Sequence, residues 1–455
     1  MVAEETKLLD HQVKAVEVIK KRNLILADDV GLGKSVVALA SIVALQRFPA
    51  LVICPAGILR QWVRMAEKWA PGIPVHVFRD GADFPVGDGI EIVSWGLVHD
   101  CIEKLRLIRW QFLVIDEAHR MKNPLAERTL AVMRLASRAR TDGSRILLLT
   151  ATHIPNRPRE LLTLLQAIGE VHDVDTWSFL HRYCGARKQW VTIRGGERRE
   201  VWSFDGATNL DQLAAWLSST GAVIRRTARE AGTVLPGKTR RLVKVKASLD
   251  SRSRTMFAAL HGLLTRIGKG DEDAIEKARP ILARLRQRVA AAKVARAVEM
   301  VKAIVAKNIL IFCWHRATVR AVFDQLNMGG IPTETIVGGD SSAHRQDVVD
   351  GLGIRTKVVV ATLGAAAEGL DGLQARCHIC LVLELDWCPA VYDQAEGRLW
   401  RTGQTEAVEV FYLVVPGSVD DLLLGVLRRK RKVIGKVTKD AEREGLREMA
   451  RLLTT

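Results

Sequence analysis

No apolar run in this chain reaches membrane-spanning length, and the opening Met1-Val2-Ala3-Glu4-Glu5 does not read as a signal peptide. A bilayer-spanning or secreted protein is therefore not the expectation. Cysteine is scarce: the 7 residues are scattered and odd in number, which fits reduced thiols in a cytosol and excludes a disulfide framework. Cys377 and Cys380 have Cys-x-x-Cys spacing, but no second pair follows and they run into Leu381-Val382-Leu383. A buried strand explains them better than zinc or redox chemistry. Repeats and low-complexity tracts are missing too. Acid is in deficit: Lys+Arg 68 against Asp+Glu 51 leaves +17, with a pI ≈ 9.8. That excess favours a polyanionic partner. What is present is bulk: 455 residues at 48% hydrophobic content suffice for two domains with substantial cores.

The first chemical signal lies at residues 23–42. Asn23 to Ala27 reads as a short buried strand, DDVGLGKS follows from Asp28 to Ser35, and an apolar helical pattern comes next. Strand, glycine-rich loop, Gly-Lys-Ser and helix is the setting of a phosphate-binding loop. Backbone N–H groups around Gly31 and Gly33 would face phosphates, Lys34 would reach the outer ones, and the Ser35 hydroxyl would ligate magnesium. Asp28 stands where the consensus wants glycine. The second signal is Phe112-Leu113-Val114-Ile115 running into Asp116-Glu117-Ala118-His119. Carboxylates at the carboxyl end of a strand lie where α/β sheets bind ligands. Asp116 is the candidate for holding magnesium, and Glu117 for orienting and deprotonating an attacking water.

The third signal is QAEGRLWRTGQT, residues 394–405. Arg398 and Arg401 are three apart, which predicts one helix face, with Gln394 and Gln404 flanking them. Guanidinium groups fork onto phosphate oxygens and keep their charge. This segment has no glycine-rich loop of its own, so the two arginines are expected to complete a site whose cradle lies near the other end of the chain.

Strand-like runs at 24–27, 51–54, 75–78, 90–94, 112–115 and 146–149 alternate with helical patterns, and a second series occupies 309–313, 333–337, 358–361, 379–384 and 408–414. The predicted fold class is α/β, with two mostly parallel sheets. Residues 171–290 break the alternation and read as helical protrusions and a linker, so the expected domains are 1–170, 171–290 and 291–455.

Taken together, the glutamine segment Leu9-Asp10-His11-Gln12, the DDVGLGKS loop, Ile53-Cys54-Pro55-Ala56 leading to Gln61-Trp62, DEAH, Leu148-Leu149-Thr150-Ala151-Thr152, Ile311-Phe312, Gly369-Leu370-Asp371 and QAEGRLWRTGQT resemble the motif series of superfamily-two helicases. Within them the chain resembles the Swi/Snf-type (SNF-two) DNA translocases. Arg182-Tyr183-Cys184, Gly206-Ala207-Thr208-Asn209-Leu210, and Ile224-Arg225-Arg226 through Leu235-Pro236-Gly237-Lys238 are similar to the annealing-helicase (HARP-like) branch. The resemblance implies two RecA-like P-loop lobes with parallel sheets and helical protrusions between them. It implies ATP and Mg2+ as cofactors, and an ATP hydrolase stimulated by double-stranded or forked DNA. Gln12 would read the adenine edge, Gly369, Asp371 and Gln394 would contact nucleotide, and Arg398 and Arg401 would act as arginine fingers.

DNA contacts are expected from Pro55, Ala56 and Ser94, from the turn at Thr362-Leu363-Gly364, and from the basic cluster of Arg187 and Lys188 near Trp190 and Trp202. Trp62, Trp69 and Trp110 are expected in the core. Ala151, His153 and Trp400 depart from the family pattern. The reading is a monomeric double-stranded-DNA translocase or remodeller of the cytoplasm in a bacterial or phage-infected cell, or of the nucleus if the source is eukaryotic. The alternatives are a strand-separating DNA or RNA helicase and, from another class, a nucleotide-gated DNA-binding clamp in a larger repair, restriction or defence complex.

Overall fold

The computed structural model describes residues 7–80, 83, 87–150, 158–192, 198–204, 206–247, 250–269, 271, 273–367, 370, 372–386 and 389–432. The chain forms two compact units, Met1–Thr233 and Val234–Thr455. In the first, the strands are β1 (Leu24–Leu26), β2 (Ala50–Cys54), β3 (Val75–Val77), β4 (Ile90–Ser94), β5 (Phe112–Ile115), β6 (Arg145–Leu149), β7 (Arg187–Thr192), β8 (Arg198–Ser203) and β9 (Val223–Ile224). Seven of them make one parallel sheet in the order β3-β4-β2-β5-β6-β1-β9. The apolar runs read from the sequence become strands because the central ones are covered on both faces. Leu24, Leu26, Val52, Val114 and Leu147 pack into one core, whereas Ile25, Leu51, Ile53, Leu113 and Leu148 pack into the other. Alternation with period two divides each run between the layers.

The second unit holds β10 (Lys238–Lys244), β11 (Ile309–Cys313), β12 (Thr333–Ile336), β13 (Val358–Thr362), β14 (Ile379–Val382) and β15 (Val408–Val414). They form a parallel sheet in the order β10-β15-β14-β11-β13-β12. Helices Ser251–Gly268 and Asp273–Ala303 belong to this unit and bury Leu260, Leu264, Leu282 and Leu285 in its core.

Residues 171–290, expected as helical protrusions and linker, contain four strands as well as helices. β9 and β10 are the edges of the two sheets, and β7 and β8 pair antiparallel as a separate hairpin. β9 is only two residues long, and β10 reads KTRRLVK with exposed arginines, so neither carries an apolar run that a sequence scan can detect. Register with an already formed sheet edge makes them strands. Among the described residues no helix is long and apolar enough to cross a membrane.

Candidate functional site

The parallel sheet of the first unit places the loops after β1, β2 and β5 along one edge, where the carboxyl ends of these strands converge. Gly33 caps helix Lys34–Leu45 with a left-handed φ of 75°, and Gly31 has φ 89°. Both positions suit glycine, and at Gly33 a Cβ would lie 2.5 Å from the Gln12 Nε2. Lys34 is the first residue of that helix and donates to the carbonyls of Asp28 (2.6 Å) and Asp29 (3.1 Å). Burial lowers its pKa, against the opposing charges of Glu117, Asp116, Asp28 and Asp29. Ser35 is half-buried in the first turn beside it.

Asp116 leaves β5 buried, with relative exposure of 7%. Its Oδ2 accepts from Trp62 Nε1 at 2.9 Å, its Oδ1 from the Glu117 amide at 2.8 Å, and its carbonyl from Trp95 Nε1 at 2.8 Å. Burial, then the neighbouring Glu117 charge, pushes the Asp116 carboxyl up to about 6, while Trp62, the Glu117 amide and Lys34 pull it down. Glu117 sits at a left-handed φ of 51°, and its carboxylate lies 3.1 Å from His119 Nδ1. The phosphate-loop lysine and the acidic pair therefore act electrostatically on one another, as their sequence spacing alone cannot show. The set fits a Mg–nucleotide: an under-neutralised carboxylate beside a hydroxyl, a lysine and a helix N-terminus.

Several partners were not legible beforehand. Trp62 is a core residue as expected, at 1% exposure, yet its indole N–H is spent on Asp116. Asp28, the residue in place of glycine, is fully buried and paired through both oxygens with Arg226, at 3.1 Å and 2.5 Å. Arg226 also donates to the His11 carbonyl, and its own carbonyl accepts from the Asp29 amide at 3.0 Å. The departure at Asp28 thus ties the phosphate loop to the segment after β9. Departure from consensus was its one sequence signal. Gln12 is buried; its oxygen accepts from the Leu9 amide at 3.0 Å and its nitrogen donates to the Leu32 carbonyl at 3.2 Å. It caps helix Asp10–Lys21 and holds the loop.

In the second unit, Arg398 and Arg401 do not share a helix face. Helix Pro389–Glu396 ends before them, and tightening turns follow, with Arg398 N bonded to Ala395 O (3.1 Å) and Leu399 N to Glu396 O (3.0 Å). Gly397 interrupts the pattern, and the unfavourable propensity of glycine favours ending the helix there. Both arginines are half-buried. Gln394 lies on the helix, half-buried. Gln404 braces the turn instead of facing a ligand: it donates to Cys377 O and Leu399 O and accepts from the Thr405 and Glu406 amides. Glu396, between them in sequence, is 1% exposed and bonded to Lys238, Arg240 and Tyr412. Trp400 donates to Pro236 O at 2.7 Å, and Lys238 Nζ lies 4.3 Å from its ring centroid, which accounts for tryptophan at this position. Gly369 and Asp371 lie outside the described residues, as do Ala151, Thr152 and His153.

Of the expected DNA contacts, Pro55 is buried and Ala56 exposed at the start of the short helix Ala56–Ile58. Ser94 is 4% exposed, and its hydroxyl accepts from Leu97 N at 3.3 Å. Thr362 ends β13, and Leu363 and Gly364 begin helix Leu363–Ala367 where a turn was expected; the alanine-rich LGAAA sequence favours that outcome. Arg187 and Lys188 are exposed on β7. Cys377 and Cys380 are both buried, Cys380 within β14.

Residues 9–291 match the SNF2-related domain family and residues 292–403 the helicase conserved C-terminal domain. The chain belongs to the SNF2-related family. It is 31% identical over 428 residues to the Xenopus tropicalis SWI/SNF-related matrix-associated actin-dependent regulator of chromatin subfamily A-like protein 1, covering 92% of this chain and 43% of that protein. To the Homo sapiens DNA annealing helicase and endonuclease ZRANB3 it is 27% identical over 448 residues, covering 94% of this chain and 40% of that protein. This SNF2-related chain thus spans less than half the length of either relative. A solved structure, the Sulfolobus solfataricus SWI2/SNF2 ATPase core in complex with dsDNA, aligns over 97% of both chains with a TM-score of 0.43 and 21% identity.

Proposed function

We propose that this SNF2-related chain is a DNA-stimulated ATP hydrolase that translocates on or remodels double-stranded DNA, forked DNA included. The observation that carries the reading is the mutual electrostatic action of Lys34, Asp116 and Glu117 at the crest of the first sheet. Family membership and the charge of +17 support a DNA partner. The naming of one relative as a DNA annealing helicase supports the remodelling branch.

Lys34 and the backbone amides around Gly31 and Gly33 bind the phosphates of ATP, and Ser35 with Asp116 hold magnesium, which neutralises developing charge during phosphoryl transfer. Trp62 fixes the Asp116 carboxylate from behind. Glu117 orients a water and accepts its proton; His119, 3.1 Å away, restrains the carboxylate. Arg398 and Arg401 contribute to turnover more than to nucleotide binding, in the manner of residues that act on the transition state.

The test is the ATPase rate with duplex, single-stranded and forked DNA and with RNA, beside Lys34→Ala and Arg401→Ala variants. Duplex or forked DNA should stimulate the wild-type protein. Arg401→Ala should lower kcat by about 10³–10⁵ while a fluorescent ATP analogue still binds. Stimulation by RNA alone would sink the reading, and DNA binding without hydrolysis would favour a clamp.

A further inference from the structure

Two tryptophans of the first unit spend their indole N–H groups on one residue. A buried indole N–H needs an acceptor, and a nearby carbonyl suffices. Trp110 meets that need with Leu105 O at 2.8 Å, five residues back in its own loop. Trp62 and Trp95 do not settle so locally. They donate to Asp116 across 54 and 21 residues of chain, Trp62 to the carboxylate Oδ2 at 2.9 Å and Trp95 to the main-chain oxygen at 2.8 Å. The two rings lie in different cores, Trp62 with Val52 and Val114, Trp95 with Ile53 and Ile115, so the sheet runs between them. Asp116 is thus held from both faces of the sheet. Filling those cores asks for apolar bulk, which phenylalanine would supply, and not for two N–H groups aimed at one aspartate.

Each of these tryptophans also belongs to a segment that reaches solvent at the same edge of the sheet. Helix Leu59–Trp69, with Trp62 in its first turn, follows directly on the short helix Ala56–Ile58. Trp95 lies between the buried Ser94 and the exposed Gly96. β4, β2 and β5 are neighbours, so the loops that leave them run side by side. Main-chain bonds knit them together: Trp95 N donates to Cys54 O at 2.9 Å, and Asp116 N to Ile53 O at 2.8 Å. The residues that stand in solvent, Ala56 and Gly96, are small and expose backbone. Backbone amides of that kind meet phosphates without reading a base. A displacement of either loop passes through one helical turn to Trp62, or through one residue to Trp95, and so reaches Asp116.

We propose that Trp62 and Trp95 are positioning residues that carry DNA contact at 56–58 and 96–97 to Asp116, and thereby set how strongly DNA stimulates ATP hydrolysis. Both act through Asp116, by fixing where its oxygens point. The inference rests on the DNA-directed reading above and specifies which side chains build the stimulation.

The experiment uses the full chain carrying 15N-indole tryptophan, with blunt duplex DNA at one fixed salt concentration and its binding followed by anisotropy. The Trp62 and Trp95 N–H signals, assigned from Trp62→Phe and Trp95→Phe, should move when duplex is added without nucleotide. In parallel, the ATPase rate with duplex is divided by the rate without it. Trp62→Phe should lower that ratio by about 10-fold or more, the worth of one hydrogen bond to a charged group, and Trp95→Phe by about 2- to 12-fold, the worth of a neutral one. Trp69→Phe, at the far end of the same helix, should leave the ratio unchanged. Lost packing alone would lower both rates together and leave the ratio where it was. A ratio that survives both variants, or an equal fall in Trp69→Phe, would overturn the inference. So would bound duplex that moves none of the 11 indole signals of the wild type, a result that stands even where a variant folds poorly. If wild-type hydrolysis ignores duplex, the DNA-directed reading fails as well; if it is stimulated and the ratio ignores both tryptophans, this inference alone fails.

Discussion

Asp116 in the first unit and Glu396 in the second are both buried carboxylates, and their surroundings drive them in opposite directions. Burial raises the pKa of each. At Asp116 the neighbouring Glu117 adds to it, and two hydrogen bonds and Lys34 do not compensate, so the carboxyl rises to about 6. At Glu396 the Arg240 fork, Lys238 and the Tyr412 hydroxyl overcome burial and hold the pKa below its ordinary value. A saturated buried acid is a piece of architecture. One left short of positive charge is suited to a cation that arrives with the substrate.

The sharpest way to break this contrast is Glu396→Gln. Leaving Lys238 and Arg240 without their buried partner should cost the second unit about 3–5 kcal/mol at pH 7, read by urea denaturation. The sign follows from the lowered pKa: the stabilisation is present above the ordinary 4.5 and is lost as pH falls through the folded value, so the variant and the wild type should converge in acid. Tyr412→Phe removes one bond to the same carboxylate, 2.6 Å long, and should cost about 1.5–3 kcal/mol. Asp116→Asn should act the other way. Its raised pKa means that ionisation opposes folding, a cost that appears between pH 3.8 and about 6 and is complete above that. The nucleotide-free variant should therefore be more stable than the wild type by about 1–3 kcal/mol at pH 7.5, with no difference below pH 3.8, and inactive as an ATPase. Equal destabilisation by Glu396→Gln and Asp116→Asn would erase the distinction between the two acids.

Both parallel sheets were legible because their strands are buried apolar runs of four to seven residues, such as 112–115 and 408–414, bounded by polar loops. The phosphate loop and DEAH were legible because backbone chemistry prescribes glycines, a lysine and acids at fixed spacing. Arg398 and Arg401 were placed on a helix because a spacing of three is shared by helices and by the turns that end them; Gly397 favours the turn. Edge strands β9 and β10 escaped notice because an edge needs a neighbouring strand more than an apolar sequence. Arg226 was named only within a family-like segment, and its pairing with Asp28 escaped because the two lie 198 residues apart.

By itself the sequence determined the kind of chemistry: which residues can hold phosphate, which carboxylates can serve a cation and a water, and which runs must be buried in sheets. Those properties are local, carried by side-chain type and a few bonds of backbone. Tertiary structure alone decided how each charge is balanced. Asp28 and Glu396 are neutralised and Asp116 is not, because burial and opposite charge depend on what distant segments bring within a few ångströms. The same closeness of distant segments turns Gly185 and Gly206 from two unremarkable loop residues into the crossing that holds a tryptophan hairpin in solvent.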